Sequence, residues 1–348
     1  DADGIFCFEN MNPSAIATNS LGVLKSIDGG ITWNPTGLTA PLANGAKLTR
    51  LIIDPINPQV LLVATSDGIW RTSNGGNSWT QVQTSPFSDM EFHPTNHNYL
   101  YATSAYNNTT NAVYRSTNNG VSWSMAYPLD PNAGRTKIAV TADWPDFVSI
   151  ISAARTLKPS FEGWYISGDA GSTFVKYASL NSNYSNNFLS SNYIGYLNDD
   201  GQGWYDLAHC INPNNSSEIW IGGVNTWKSD DQGMSFDLSN FWYHEQSGNP
   251  ANPTPASAYA TVHADKHFYA YHPLNANIFF ECNDGGIYFT QDGGTTWTDI
   301  SSGLGIGQIY RIGTSSTVAN NVITGLQDNG NKELYNGQWD DLQIPGGD

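Results

Sequence analysis

The chain has 348 residues, enough for a large core, and its 31 acidic against 14 basic residues give a formal charge of −17. This acidity argues against nucleic acid and anionic membranes as partners, because both require clustered positive charge. No run approaches the ~20 apolar residues of a spanning helix, so membrane insertion is not expected. The 34 Gly and 18 Tyr favour an all-β protein rich in tight turns.

Six copies of one short motif follow one another along the chain. Each has Ser or Thr, then Asp or Asn two positions later, Gly two positions after that, and a hydroxyl residue followed by Trp or Phe. The copies are SIDGGITW (26–33), TSNGGNSW (72–79), STNNGVSW (116–123), SGDAGSTF (167–174), SDDQGMSF (229–236) and TQDGGTTW (290–297). Hydroxyl and Asp or Asn side chains can bind backbone N–H groups in a turn, and Gly accepts a positive φ. We therefore assign a structural role to the third residue of each copy: Asp28, Asn74, Asn118, Asp169, Asp231 and Asp292.

The spacing of the motifs predicts the architecture. Successive copies start 44 to 62 residues apart, which is the length of a four-stranded propeller blade. A seventh unit lacks the motif but keeps the rhythm, with strands predicted in GQIYRIGTSS (307–316), NVITGLQ (321–327), NKELYN (331–336) and QWDDL (338–342). The sequence thus predicts an all-β fold, a seven-bladed β-propeller with four-stranded antiparallel blades.

One propeller is expected to fill the chain, as a single domain over 1–348. The predicted blades span approximately 1–38, 39–84, 85–128, 129–178, 179–240, 241–301 and 302–348. The ending IPGGD suggests a piece of a longer protein. We expect the N-terminal segment to close the ring by pairing with the seventh blade, because an open ring leaves two bare sheet edges. If Gly4–Phe8 instead forms the first, innermost strand of the first blade, closure depends on packing between blades one and seven.

Two long loops are expected on the face opposite the six motifs, over residues 177–204 and 239–260. Exposed aromatic rings among Asn and Ser suit a glycan, because rings cover sugar faces and amides bind hydroxyls. The alternative is that these rings fold down and close the channel. The candidate binding residues are Tyr184, Tyr193, Tyr196, Trp204, Trp242 and Tyr243.

The stretch VHADKH reads as the start of the innermost strand of the sixth blade, near the channel mouth. His263, Asp265 and His267 alternate there, so they should share one face of the strand. One hypothesis is a divalent cation of the zinc or transition-metal type, held by two of the three because residues four apart on a strand are ~13 Å apart. The other is a hydrogen-bonded row in which Asp265 orients both imidazoles. No cofactor other than this possible cation is expected.

Acidic turns of the sixth and seventh blades should lie on the same face. Asp284 follows CN in the sixth unit and Asp328 follows LQ in the seventh. We expect the three residues of VHADKH to lie within hydrogen-bonding reach of each other or of these two carboxylates. Asp265, Asp284 and Asp328 are therefore the candidate catalytic acids if the protein is an enzyme.

The six motifs resemble the Asp-box, or BNR, repeat of sialidase-like and sortilin-like β-propellers. Longer strings resemble secreted, multidomain Asp-box proteins of Bacteroidetes that carry type IX secretion tails: GQGWYDLAHCINP (201–213), VHADKHFYAYHP (262–273), NDGGIYFTQDGGTTW (283–297) and VITGLQDNG (322–330). The resemblance implies a propeller and a secreted or cell-surface location in a bacterium. It implies much less about activity.

Two functional hypotheses follow from the sequence. The first is a binding, adhesion or scaffold module for a glycan or protein ligand, with no chemistry of its own, since no isolated acid/base pair stands out. The alternative is a glycoside hydrolase, sialidase-like or xyloglucanase-like, possibly with a second propeller. Sialidases need an early Arg-Ile-Pro, which this chain lacks. We therefore expect the protein not to be an enzyme, and a glycoside hydrolase if it is one.

Overall fold

The computed structural model describes residues 5–6, 22–39, 45–104, 111–192, 197–242, 259–304, 307–315, 317–318, 321–335 and 337–342. Within these ranges the chain forms strands and turns but no helix. A helix able to cross a membrane is accordingly absent from this part of the chain. The two described cysteines, Cys210 and Cys282, carry free thiols.

The strands form seven sheets in chain order. The first sheet contains β1 (Ile5–Phe6), β2 (Leu24–Lys25) and β3 (Asn34–Pro35). The second contains β4 (Leu48–Ile53), β5 (Leu61–Thr65), β6 (Gly68–Thr72) and β7 (Thr80–Thr84). The third contains β8 (Phe87–Phe92), β9 (Leu100–Ser104), β10 (Ala112–Ser116) and β11 (Ser124–Pro128). The fourth contains β12 (Ala133–Val140), β13 (Val148–Ala154), β14 (Phe161–Ser167) and β15 (Val175–Ser179).

The remaining three sheets carry the candidate site. The fifth contains β16 (Ala208–Asn212), β17 (Asn215–Gly222), β18 (Thr226–Ser229), β19 (Asp237–Phe241) and β20 (Ala260–Thr261), with β20 parallel to β19. The sixth contains β21 (Lys266–His272), β22 (Asn275–Asn283), β23 (Gly286–Thr290) and β24 (Thr298–Asp299). The seventh contains β25 (Ile309–Thr314), β26 (Val322–Leu326), β27 (Asn331–Tyr335) and β28 (Gln338–Leu342). All other neighbouring strands pair antiparallel, and five sheets have four strands, so the predicted fold class is confirmed.

The first strands of successive sheets surround a central channel. In the second to sixth sheets, β4, β8, β12, β16 and β21 lie beside one another in that order. Apolar clusters fill the space between neighbouring sheets. Trp164 and Trp227 pack between the fourth and fifth sheets, and Trp220 stacks on Phe279 between the fifth and sixth with ring centroids 4.4 Å apart. The burial of these large side chains stabilises the face-to-face packing of the sheets.

The N-terminal segment corrects the expectation about ring closure. Ile5–Phe6 pairs with β2, inside the first sheet, whereas β28 pairs with β27. Pairing of this segment with the seventh sheet is therefore wrong for the described residues, and Ile5–Phe6 joins the first sheet in the place of a second strand, not of the innermost strand that the alternative expected. The physical reason is that β2 needs a partner on its inner side, the place that the second strand takes in the other sheets.

The six Asp-boxes form hydrogen-bonded turns between strands. In the first box, Ser26 Oγ and the Thr32 backbone N–H both donate to Asp28 Oδ1, at 2.7 and 2.9 Å, and Thr32 Oγ1 donates to Oδ2 at 2.6 Å. The hydrogen bonds from Thr32 lead the interactions that hold the pKa of Asp28 at about 2. The boxes join β2 to β3, β6 to β7, β10 to β11, β14 to β15, β18 to β19 and β23 to β24. Because strands alternate in direction, all six lie at the ends opposite the loops that join one sheet to the next.

We expect Gly233→Ala to destabilise the protein more than Gly30→Ala. Both glycines hold the same position in their boxes, with φ of 82° and 89°, so an added Cβ brings similar backbone strain of about 1–2 kcal/mol. On Gly233 that Cβ would lie 1.8 Å from the buried Trp164 ring, whereas on Gly30 it would lie 3.7 Å from Trp33. Overpacking adds about 1–3 kcal/mol. Thermal unfolding should give the lower midpoint for Gly233→Ala, and equal midpoints would contradict this.

Candidate functional site

The channel mouth is built from turns at the ends of strands opposite the Asp-boxes. One loop precedes β16, one turn precedes β21, and two further turns join β22 to β23 and β26 to β27. We use the name mouth cluster for the polar side chains that these segments bring together: Gln202, Tyr205, Asp206, His263, Asp265, His267, Asp284 and Asp328.

The innermost strand of the sixth sheet starts later than predicted. Ala260–Thr261 still pairs with β19 at the outer edge of the fifth sheet, and β21 begins only at Lys266. Asp265 has a φ of 66°, a left-handed conformation that Asp tolerates better than most residues. His263 and Asp265 therefore lie in a turn that crosses between sheets. The expectation that they share a strand face with His267 is wrong, because strand alternation applies only within the strand.

Asp284 is held as a carboxylate by two donors. His267 Nε2 donates to Asp284 Oδ1 at 2.6 Å and Tyr205 OH donates to Oδ2 at 2.7 Å. Asn329 Nδ2 also donates to the Asp284 carbonyl at 3.0 Å, which joins the turns of the sixth and seventh sheets. Burial by itself would raise the pKa of Asp284, but the hydrogen bonds from His267 and Tyr205 outweigh it and lower the pKa. Asp284 can therefore accept a proton or attack as a nucleophile.

Asp265 belongs to the same cluster, but its pKa is shifted in the opposite direction. Gln202 Nε2 donates to its Oδ1 and also to Asp206 Oδ2 at 3.2 Å. Burial, followed by the charge of Asp284, raises the pKa of Asp265 to about 6. Up to about pH 6 this carboxyl group can hold a proton that Asp284 cannot. Two carboxyl groups with pKa values moved apart in one site are the arrangement that separates an acid from a base.

Buried polar side chains in and beneath the mouth cluster hold the turn before β21 in place. Asp206, Lys266 and Glu281 are fully buried. Lys266 Nζ lies 3.2 Å from Glu281 Oε1 and also donates to the His263 carbonyl oxygen. Burial, followed by the charge of Asp265, raises the pKa of Asp206 well above its usual value. Lys266 Nζ thus links the backbone of the turn that carries Asp265 to the buried Glu281 of the sixth sheet.

The imidazoles of His263 and His267 take separate partners. His263 Nε2 donates to the Asp328 carbonyl oxygen at 2.7 Å, whereas His267 reaches Asp284 and Asp265 is bound by Gln202. Within the described ranges no three His, Cys, Asp or Glu side chains are arranged to hold a metal ion. The divalent cation at His263, Asp265 and His267 stays a prediction, and the mouth cluster is described by its hydrogen bonds.

The loop before β16 packs onto the sheets, and aromatic rings in this loop and directly after β19 stay exposed. Phe188 and Leu189 pack into the core between the fourth and fifth sheets. Trp204 and Trp242 remain 40% and 39% exposed, and Tyr184 is half-buried. Trp204 lies beside the mouth cluster, with its ring centroid 5.5 Å from that of Tyr205. The other candidate binding residues lie outside the described residues: Tyr193, Tyr196 and Tyr243.

Sequence reasoning missed four members of this region. No role was predicted for Gln202, Tyr205 or Asp206, although they lie in the segment GQGWYDLAHCINP. Lys266 was also given no role, although it lies between the candidates Asp265 and His267. The sequence did contain a signal for these residues. Polar residues come directly before the innermost strand β16, just as they come directly before the innermost strand β21. The chain therefore repeats a polar entry to the innermost strand in two neighbouring sheets.

Comparison with known proteins supports the fold. A family model described as Sortilin, neurotensin receptor 3, matches residues 22–141. The solved GH74 enzyme of Niastella koreensis is 18% identical, with a TM-score of 0.50 over 93% of this chain and 53% of that chain. The chain folds as a β-propeller. It spans about half the length of that enzyme.

Two further relatives complete the comparison. The xyloglucanase Xgh74A of Acetivibrio thermocellus is 26% identical over 38% of this chain and 19% of its own length. A solved YCF48 protein from Cyanidioschyzon merolae is 12% identical over 89% of this chain and 86% of that chain, with a TM-score of 0.46. The propeller is thus related to GH74 xyloglucanases at the level of the fold.

Proposed function

We propose that the propeller acts on glycans and that its mouth cluster hydrolyses a glycosidic bond. The observation that carries this proposal is the opposite displacement of the pKa values of Asp265 and Asp284 within one cluster. Asp265 holds a proton up to about pH 6 and donates it to the leaving oxygen. Asp284, kept ionised by His267 and Tyr205, acts as the base or nucleophile.

The surroundings of the pair favour a neutral polysaccharide. Trp204 lies next to Tyr205 and is 40% exposed, so its ring offers a platform for a sugar face. The net charge of −17 disfavours anionic glycans such as sialosides. The GH74 relatives make xyloglucan the first substrate to test, and the proposal includes a secreted or cell-surface location in a bacterium, where such polymers are met.

A second candidate is a glycan-binding module without turnover. Two Trp rings, Trp204 and Trp242, are exposed on the face that carries the mouth cluster. Aromatic platforms of this kind bind sugars without any acid or base. This candidate corresponds to the first hypothesis drawn from the sequence, whereas the carboxylate pair favours the hydrolase.

One experiment separates the two candidates. The protein is incubated with xyloglucan, mixed-linkage glucan and a sialylated glycan, while new reducing ends and retardation in polysaccharide gels are measured. A hydrolase should release reducing ends fastest between the lowered pKa of Asp284 and about pH 6. The rate should fall above this range as Asp265 loses its proton, and below it as Asp284 gains one. Retardation without reducing ends would overturn the hydrolase, and neither effect on any glycan would overturn both candidates.

A further inference from the structure

A second cavity lies in the central channel between the innermost strands of the second to sixth sheets. Its volume is about 200 Å³. The side chains that matter for its chemistry are Arg50, Asp89, Glu91, Lys137 and Phe268. His267 also lines it, so the cavity adjoins the mouth cluster but has its own set of polar groups.

Four charged side chains line this cavity, and their charges cancel. Arg50 Nε and Lys137 Nζ lie 3.5 and 3.7 Å from Asp89 Oδ1. Arg50 also pairs with Glu91. Two positive and two negative groups leave no net charge to attract an ion. They do place strong donors beside strong acceptors, which suits a hydroxyl group because a hydroxyl both donates and accepts.

The Asp89 carboxylate is engaged by its own neighbours. Its side chain is 2% exposed, and its Oδ2 accepts from the Ile138 backbone N–H at 2.8 Å. Its buried Oδ1 lies within ion-pair distance of Arg50 and Lys137. Arg50 and Glu91 are the charged groups that a ligand can reach, with side chains 19% and 24% exposed, and they offer it a donor and an acceptor.

An aromatic ring stands among these charges. Phe268 is 43% exposed although it lies on an innermost strand. The Arg50 guanidinium lies over the ring, 5.3 Å from its centroid, and the remaining ring surface faces the lumen. An apolar ring beside planar charged groups matches the two sides of a sugar, with C–H groups on one and hydroxyls on the other.

We propose that this channel cavity binds one neutral sugar unit. Its volume equals that of roughly seven liquid waters at about 30 Å³ each, enough for one pyranose ring but not for an oligosaccharide. The proposal rests on the proposed function for the source of the sugar, which is either a free monosaccharide or a side branch of the polymer held at the mouth. The channel cavity then binds one sugar selectively, while the mouth cluster hydrolyses the polysaccharide chain.

The test measures binding of single sugars to the whole chain. D-Glucose, D-xylose and D-galactose are titrated and followed by saturation-transfer NMR, with a xylosylated oligosaccharide as a separate arm. We expect at least one sugar to bind in the millimolar range. Phe268→Ala should weaken binding at least fivefold, and Phe268→Tyr should stay within twofold of the native protein because the ring remains. An effect confined to the oligosaccharide would identify a polymer branch as the source.

Two controls keep this test separate from the hydrolase proposal. Trp144→Ala removes a ring of similar exposure, 41%, far from the channel lining, and should not change sugar binding. Asp284→Asn should retain sugar binding even though it lowers kcat for hydrolysis. If Phe268→Ala fails to fold, Phe268→Leu removes the ring while keeping an apolar side chain. Absence of binding by every sugar, or equal affinity in the ring-less and native proteins, would overturn the channel site whatever the outcome for hydrolysis.

Discussion

Replacing Asp284 with Asn is expected to lower kcat for glycan hydrolysis by about 10²–10⁴-fold, the usual contribution of a positioned acid or base. Asn keeps the size of the side chain and can still accept one hydrogen bond, from His267 or Tyr205. It cannot carry the negative charge that these two donors stabilise. The loss should therefore appear in kcat, while retardation in xyloglucan gels stays close to that of the native protein.

Asp265→Asn should cause a loss of the same order for the opposite reason, because it removes the proton donor. Its folded-state pKa of about 6 lies above the ordinary value of 3.8 for an Asp carboxyl group, so the native state binds this proton more tightly than the unfolded state. The contribution of Asp265 to stability therefore falls as pH rises from about 4 to 6. A neutral Asn at this position should leave the unfolding midpoint at pH 7 unchanged or raised, which separates a catalytic loss from unfolding.

A matched acid on the opposite face serves as the control for both variants. Asp230 is the second residue of the fifth Asp-box, with its side chain 69% exposed and 2.9 Å from Lys228 Nζ. Asp230→Asn should leave kcat within twofold of the native value. Native turnover in Asp284→Asn would remove the mouth cluster from the mechanism, as would an equal loss in all three variants.

Lys266→Met should give a large loss of stability, about 3–5 kcal/mol, because it leaves Glu281 buried without its counter-ion. Both side chains are fully buried, with the ion pair at 3.2 Å. Glu281 Oε2 accepts from Thr226 Oγ1 at 2.6 Å and Asn240 Nδ2 at 2.9 Å, so the carboxylate cannot turn towards solvent. Denaturant unfolding measures the change directly.

The control for this prediction is an ion pair at the surface. Lys158 pairs with Asp200, and their side chains are 61% and 44% exposed. Lys158→Met should leave the free energy of unfolding nearly unchanged, because a solvent-exposed ion pair contributes little to stability. The double variant Lys266→Met/Glu281→Gln should recover part of the loss, because it removes the unpaired buried charge. Similar losses in the two Lys variants would show that the buried pair does not support the turn before β21.

Much of the fold could be predicted from short stretches of sequence. The turn around Asp28 uses side chains within eight residues of each other, Ser26 to Trp33. All residues that form its hydrogen bonds therefore lie in one short segment of the sequence. Six repetitions of that string at blade spacing were enough to predict the sheets. Even the seventh sheet, which lacks the motif, has its four strands within the predicted segments.

The prediction at VHADKH was only partly right, for a physical reason. Polar residues at every second position do not show whether they lie in a strand or in the turn that precedes it. In the structure Asp265 has a left-handed conformation, β21 begins at Lys266, and Lys266 pairs with the buried Glu281. That partner lies on the next strand and cannot be read from the string itself.

The sequence by itself determined the repeat, the Asp-box turns, the strand pattern and the acidic residues available at the channel mouth. Only the tertiary structure decided which of those residues meet. Gln202 reaches Asp265 across 63 residues and Tyr205 reaches Asp284 across 79. The pKa of Asp265 is raised first by burial and then by Asp284, and both conditions arise only when separate sheets pack around one channel. Local turn chemistry is encoded within a few residues, whereas desolvation and charge coupling belong to the assembled ring.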